Sequence, residues 1–176
     1  MSEPVTVRWK VRGDIELVGS AYGNAARPAV ILLHGGGQTR HAWRGTGEKL
    51  GDAGFYAIAL DMRGHGESTW APDGNYSMDC FSADLQQVVE ENFTAPPAVV
   101  GASLGGLTGL LMQGESERQR LAALILVDVA RKLERDGVMR VFSFMTANPD
   151  GFASLEEAAD FIAAYLPHRK RPKDTT

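Results

Sequence analysis

A pentapeptide of the pattern Gly-x-Ser-x-Gly lies in the middle of this 176-residue chain, at Gly101-Ala102-Ser103-Leu104-Gly105. It follows the apolar residues 98–100 and precedes a segment rich in Leu and small residues, so strand, tight turn and helix are predicted in that order. The flanking positions have to be small, because a side chain there would collide with the strand or the helix. Such a turn lifts the hydroxyl above the sheet and directs the N–H groups at the helix start toward an oxyanion. Ser103 is therefore the candidate nucleophile.

Two further segments bear on this interpretation, because one pentapeptide also fits an ordinary turn with an N-capping serine. His34-Gly35-Gly36-Gly37, here called the glycine loop, ends an earlier apolar run and can place backbone donors opposite Leu104. Residues 61–68, Asp-Met-Arg-Gly-His-Gly-Glu-Ser, interrupt the next apolar run. Their glycines indicate turns, and Arg63 is interpreted as a residue that ties this loop to neighbouring backbone. Together the three segments favour a hydrolase-type site.

The hydrophobic pattern predicts an α/β fold with a mostly parallel sheet of about six strands. Residues 5–12 alternate apolar and charged side chains and form an antiparallel hairpin with 15–22. Continuous apolar runs predict strands covered on both faces, at 29–33, 55–60, 98–100 and 121–129. Helical segments between them repeat strand and helix, as in a parallel sheet, near 42–53, 77–92 and 104–114. Beyond Ala130 the pattern changes to amphipathic helices over 137–147 and 154–166, the second capped by Ser154.

Composition excludes several classes of function. The net charge of -4 arises from 22 acidic and 18 basic residues spread along the chain. No basic face is therefore expected, and nucleic-acid binding is not predicted. The single cysteine, Cys80, excludes an internal disulfide and fits a reducing compartment. The N-terminus lacks a signal-peptide pattern, and no segment approaches the ~20 apolar residues of a membrane span. We expect a cytoplasmic protein that binds a small molecule and that binds neither a membrane nor a nucleic acid.

The three segments, in this order and with Trp43 downstream of the first, resemble the α/β-hydrolase family, in its branch of small esterases, haloperoxidase-like and epoxide-hydrolase-like proteins. The resemblance covers residues 5 to about 130. It implies that Ser103 is the nucleophile, that the N–H groups of Gly36 and Leu104 form the oxyanion hole, and that no cofactor or metal is needed. Serine rather than aspartate at this position points to acyl transfer through an acyl-enzyme. Hydrolysis of carboxylic esters is the leading prediction, and perhydrolase-like transfer to peroxide at the same serine is the alternative.

The general base is missing from this pattern. In the family it is a histidine after the last strand, and the acid follows one of the two preceding strands. The resemblance therefore predicts a fold that is truncated in the cap region, before the last two strands. Its parts are a core at 1–130, the start of a helical cap at 131–167 and a basic disordered tail at 168–176. Asp128 is a candidate acid, or an aspartate that caps the following turn. His34 is expected to brace the glycine loop, and His65 has no assigned role.

A sheet that ends at residues 121–129 would expose an apolar edge. We therefore expect a homo-oligomer or a complementing C-terminal fragment at this edge, and a chain that is inactive or incomplete by itself. The explanations left open are a truncated gene product, one part of a two-chain enzyme, and an edge-paired dimer. A non-catalytic ligand-binding or assembly module is the alternative from another class.

Overall fold

A computed structural model describes residues 3–129, 134–168, 170 and 171. The chain divides into two units, Met1–Arg131 and Lys132–Thr176. Of the segments predicted from sequence, the start of the cap at 131–133 lies outside the described residues. So does most of the tail, residues 169 and 172–176.

The first unit contains one six-stranded sheet, and this confirms the predicted α/β class. Its strands lie in the order β1-β2-β4-β3-β5-β6. The hairpin β1–β2 and the pair β2–β4 are antiparallel, whereas β3, β4, β5 and β6 run parallel to one another. The strands are β1 Val5–Val11, β2 Ile15–Tyr22, β3 Ala29–Leu33, β4 Tyr56–Leu60, β5 Ala98–Ala102 and β6 Ala123–Val127; the helices are α1 Arg44–Asp52, α2 Met78–Asn92 and α3 Leu104–Gly114.

The central strands are covered on both faces, which explains their continuous apolar runs. Successive side chains of a strand point to opposite faces. In β3, Ile31 and Leu33 join the larger hydrophobic cluster, which includes Leu85 of α2 and Met112 of α3. The neighbouring side chains of β3 join a second cluster on the other face. That second cluster consists of Tyr22, Val30, Leu32, Ala57 and Ala59, with Trp43 and Leu50 packed against it.

Strand β6 forms an edge of the sheet among the residues that the structure describes. It pairs with β5 and with no other described strand. Ile125 is 44% exposed and Val127 38% exposed, so apolar side chains lie open along this strand. The strand is shorter than the predicted 121–129, because the Leu121 N–H donates to the Gln113 side chain at 3.1 Å and Asp128 adopts a φ of 52°.

The second unit contains two helices, α4 Arg135–Thr146 and α5 Leu155–Tyr165. The Ser154 side chain caps α5 by accepting from the Glu157 N–H at 3.1 Å, as the sequence predicted. Aromatic rings join the two helices: the ring centroid of Phe144 lies 3.9 Å from that of Tyr165 and 5.0 Å from that of Phe161. Among the described residues, neither these helices nor those of the first unit have the length and apolar character needed to span a membrane.

Candidate active site

The turn between β5 and α3 holds Ser103 in a strained conformation, with φ 44° and ψ -111°. Positive φ is uncommon for a residue with a side chain and is found at functional sites more often than elsewhere. The glycines around Ser103 are required by space. A Cβ on Gly101 would lie 2.4 Å from the carbonyl carbon of Gly105, and one on Gly105 would lie 2.5 Å from Cβ of Leu33. The close approach of α3 to the sheet therefore depends on these two positions.

The turn is hydrogen-bonded to the ends of both neighbouring strands. The Ser103 N–H donates to the carbonyl of Val127 in β6 at 3.1 Å, and the Gly105 N–H donates to the carbonyl of His34 after β3 at 3.2 Å. The side chain of Ser103 is exposed and makes no hydrogen bond to the described residues. The backbone of the turn is thus held in place, and the hydroxyl is left open to a reactant.

The glycine loop lies directly beside this turn. A Cβ built on Gly35 would lie 3.6 Å from Cβ of Ser103, and one on Gly36 would lie 4.0 Å from Cδ2 of Leu104. The loop closes on itself, because Gln38 donates its N–H to the Gly35 carbonyl and accepts from the Gly35 N–H, both at 3.1 Å. Among the described residues, the N–H groups of Gly36 and Leu104 have no acceptor. Two free donors therefore lie near the serine.

His34 fixes the orientation of one of these donors. Its ring is fully buried, lies 2.8 Å through Nδ1 from the Gly35 carbonyl, and accepts from the Met62 N–H at Nε2 at 3.1 Å. Because Nε2 accepts, the proton is on Nδ1 and Nδ1 donates. The Gly35 carbonyl and the Gly36 N–H belong to one planar peptide unit, in which they point in opposite directions. A hydrogen bond to the carbonyl therefore directs the N–H of Gly36, and His34 braces the loop as the resemblance implied.

A buried ion pair anchors the segment after the glycine loop to the residue that follows β4. The Asp61 carboxylate is fully buried and accepts from the Arg40 N–H at 2.6 Å, from the Glu67 N–H at 3.1 Å and from the Arg40 guanidinium. The same guanidinium also donates to Glu67 and, at 3.1 Å, to the hydroxyl of Ser20. Burial lowers the pKa of Arg40, but hydrogen bonds to Glu67 and Asp61 outweigh this effect and raise it above its ordinary value.

The remainder of the 61–68 loop is held by a second buried pair. Arg63 donates twice to the carboxylate of Asp84 in α2, at 2.6 Å for each bond, and once to the carbonyl of Asn75 at 3.1 Å. The sequence predicted only a bond to backbone at Arg63. Gly64 and Gly66 have φ values of 73° and 54°, and a Cβ on Gly66 would collide with the Asp61 carboxylate. The loop glycines are therefore turn requirements, as predicted.

Comparison with known proteins identifies the family. A family model described as alpha/beta hydrolase fold matches residues 28–171. The chain belongs to the α/β-hydrolases. It is 37% identical over 147 residues to esterase Rv0045c of Mycobacterium tuberculosis, an alignment that covers 81% of this chain and 48% of the relative. The solved structure of that esterase aligns with this chain at a TM-score of 0.63 and 32% identity, and the alignment covers 97% of this chain and 58% of the esterase chain.

The chain is also similar to a second curated protein and shares its fold with another solved structure. Protein phosphatase methylesterase 1 of Bos taurus is 29% identical over 138 residues, which is 76% of this chain and 36% of the relative. The solved structure of a thioesterase domain from the curacin biosynthetic pathway aligns with this chain at a TM-score of 0.72 and 21% identity, and the alignment covers 97% of this chain and 64% of the thioesterase chain. The chain thus spans about half the length of esterase Rv0045c and about a third of the length of the methylesterase.

The candidate acid, Asp128, directly follows the strand that is bonded to the serine turn. Its side chain is exposed and has no hydrogen-bond partner among the described residues, and its φ is 52°. Strain in a non-glycine residue at this end of the sheet fits a site residue as well as a turn residue. The described residues also contain no group of three or more His, Cys, Asp and Glu side chains that could hold a metal ion.

His34 gives the hydrolase fold a specific pH dependence. Burial lowers the pKa of His34 below its ordinary value, although the hydrogen bond to Gly35 opposes this effect. The unfolded chain titrates this histidine near its usual pKa of about 6.5. The contribution of neutral His34 to the stability of the fold is therefore fully present above that pH. This contribution decreases as the pH falls below it, because the unfolded state takes up the proton first. We expect the free energy of unfolding to decrease from about pH 7.5 to about pH 5.5.

Urea denaturation across that pH range tests this expectation. The variant His34→Gln should show a smaller decrease than the wild type, since it removes the buried titrating ring. His41→Gln, at an exposed position, is the control for the loss of a histidine. An equal decrease in wild type and His34→Gln would contradict the assignment.

Proposed function

We propose that this chain carries the nucleophile and the oxyanion donors of a serine hydrolase that acts on carboxylic esters. The observation that supports this most directly is the exposed Ser103 hydroxyl beside two unpaired N–H groups, those of Gly36 and Leu104. The similarity to two relatives, an esterase and a methylesterase, supports the class of substrate. A small-molecule ester is the proposed substrate.

The proposed reaction proceeds through an acyl-enzyme. The Ser103 oxygen bonds to the carbonyl carbon of the ester, and the hydroxyl proton passes to a base. The negative charge on the former carbonyl oxygen is stabilised by the N–H groups of Gly36 and Leu104. The bond to the alcohol then breaks, and the alcohol leaves with the proton. Water attacks the Ser103 ester in the second half of the reaction, which releases the acid and restores the hydroxyl.

We further propose that the base is neither His34 nor His65, and that this chain is inactive or incomplete without a base supplied from elsewhere. His34 and His65 have both ring nitrogens engaged by the backbone: His34 by Gly35 and Met62, and His65 by Arg63 and Gly37. Neither imidazole has a lone pair left for the serine proton. Asp128 is the proposed acid that would orient a histidine supplied there.

Covalent labelling with a fluorophosphonate tests the nucleophile. The serine oxygen displaces fluoride from phosphorus, and the resulting adduct adds a known mass to the intact chain. We expect slow labelling of the wild type that accelerates with added imidazole, because imidazole supplies the general base. Ser103→Ala should abolish the adduct, whereas Ser143→Ala, which removes an exposed hydroxyl from α4, should leave it unchanged.

A non-catalytic binding or assembly module is the second candidate. It is supported by the exposed apolar side chains of β6 and by the lack of a described partner for the Ser103 hydroxyl. A folded wild-type chain that stays unlabelled at high imidazole would favour this candidate over the hydrolase. Pairing at the β6 edge, with a second copy or a C-terminal fragment, and a cytoplasmic location stay predictions.

A further inference from the structure

His65 contacts the backbone directly after the candidate oxyanion donor Gly36. The Gly37 N–H donates to Nε2 of His65 at 3.4 Å, and the other ring nitrogen, Nδ1, lies 2.9 Å from the carbonyl of Arg63. This pattern requires the neutral ring with its proton on Nδ1. The ring also lies against His34, with the two ring centroids 4.8 Å apart.

Gly36 needs an external restraint on both sides. Glycine has no Cβ, so its φ and ψ are freer than those of any other residue. The peptide unit before Gly36 is fixed by hydrogen bonds from His34 and Gln38 to the Gly35 carbonyl. The peptide unit after Gly36 contains the Gly37 N–H, and among the described residues its hydrogen bond is to His65. The two histidines therefore restrain the two dihedral angles of Gly36 from opposite sides.

The position of His65 is itself well defined. Its N–H donates to the Met62 carbonyl and its carbonyl accepts from the Ser68 N–H, both at 3.0 Å. The Arg63 carbonyl that accepts from the ring belongs to a residue held by two bonds to Asp84 of α2. A continuous set of contacts thus runs from α2 through Arg63 and His65 to the glycine loop.

We propose that His65 is a positioning residue for the oxyanion hole. By holding the peptide after Gly36 it limits rotation about Gly36, so that the Gly36 N–H, which His34 orients through the peptide before it, stays directed at the oxygen that becomes negative when Ser103 reacts. This inference rests on the proposed function. His65 contacts no reactant and acts through the geometry of a backbone donor.

Two variants separate the hydrogen bond from the ring packing. His65→Phe keeps an aromatic ring against His34 but removes both nitrogens, whereas His65→Gln restores an acceptor without the ring. The exposed position His41, changed to Phe, is the matched control. Two quantities are measured on the full 176-residue chain: the amide exchange rate of Gly37 by NMR, and the rate of fluorophosphonate labelling with imidazole present. Thermal unfolding shows that each variant is folded.

We expect His65→Phe to raise the Gly37 exchange rate and to slow labelling, each by about tenfold, as for the loss of one hydrogen bond. His65→Gln should recover most of both, and His41→Phe should change neither. An unchanged Gly37 exchange rate in His65→Phe would overturn the proposal, and so would faster exchange with an unchanged labelling rate. A folded wild type that is never labelled would overturn the proposed function instead, and the exchange rates alone would then decide whether His65 restrains Gly37.

Discussion

Gly105→Ala is expected to destabilise the chain by about 3 kcal/mol, the upper range for an overpacked core position. The added methyl group would lie 2.5 Å from Cβ of Leu33 and 2.6 Å from its carbonyl oxygen. Neither atom is the end of a flexible side chain, so α3 would have to move away from β3. That movement would loosen the packing of Met112 and lengthen the bond from the Gly105 N–H to the His34 carbonyl.

Gly114→Ala is the matched control, because Gly114 ends the same helix and has no atom within 4 Å of an added Cβ. Alanine favours a helix over glycine by about 1 kcal/mol, so this variant should be neutral or slightly more stable. The same preference acts in Gly105→Ala, and the measured loss therefore understates the collision. Urea denaturation followed by circular dichroism gives both free energies. Equal stabilities of the two variants would contradict the tight contact of α3 with β3.

The sequence predicted the elements whose determinants are local. A run of apolar residues sufficed for β3, whose bounds are Ala29–Leu33 as expected, and the capping Ser77 located the start of α2. The Gly-x-Ser-x-Gly pattern located the strained Ser103, because only small residues permit that turn. In each case a few neighbouring residues determine the conformation, so the pattern could be recognised without knowledge of the fold.

Features that depend on distant residues could not be predicted in this way. One helix was expected over 42–53, but a 3-10 turn, Arg40–Trp43, precedes α1. The reason is that the Arg40 N–H and guanidinium both bind the Asp61 carboxylate, 21 positions along the chain. The contact of His65 with Gly37 joins residues still farther apart, 28 positions along the chain. A lone histidine in a glycine-rich loop has no pattern that would reveal such a partner.

Asp61→Leu is expected to cost about 3–5 kcal/mol of folding free energy, because the buried Arg40 guanidinium keeps only the half-exposed Glu67 as a counter-charge. Arg40 is 6% exposed and Asp61 fully buried, so water cannot replace the lost partner. The N–H groups of Arg40 and Glu67 lose their acceptor in the same variant. Arg44→Met, which breaks the ion pair of the exposed Arg44 with Glu48, is the control and should leave the free energy of unfolding nearly unchanged.

A double-mutant cycle with Arg40→Met isolates the interaction of the two buried side chains. The single variant Arg40→Met leaves the Asp61 carboxylate buried with only its two backbone donors, and should also be strongly destabilised. In the double variant no buried charge is left unpaired, because Glu67 is half exposed to water, so its loss should be smaller than the sum of the single losses by about 1–3 kcal/mol. The remaining cost is that of the two orphaned N–H groups, about 1–3 kcal/mol each. Urea denaturation gives all three losses. If the loss in the double variant equalled the sum of the two single losses within about 0.5 kcal/mol, the two charges would act independently, contrary to the geometry of the pair.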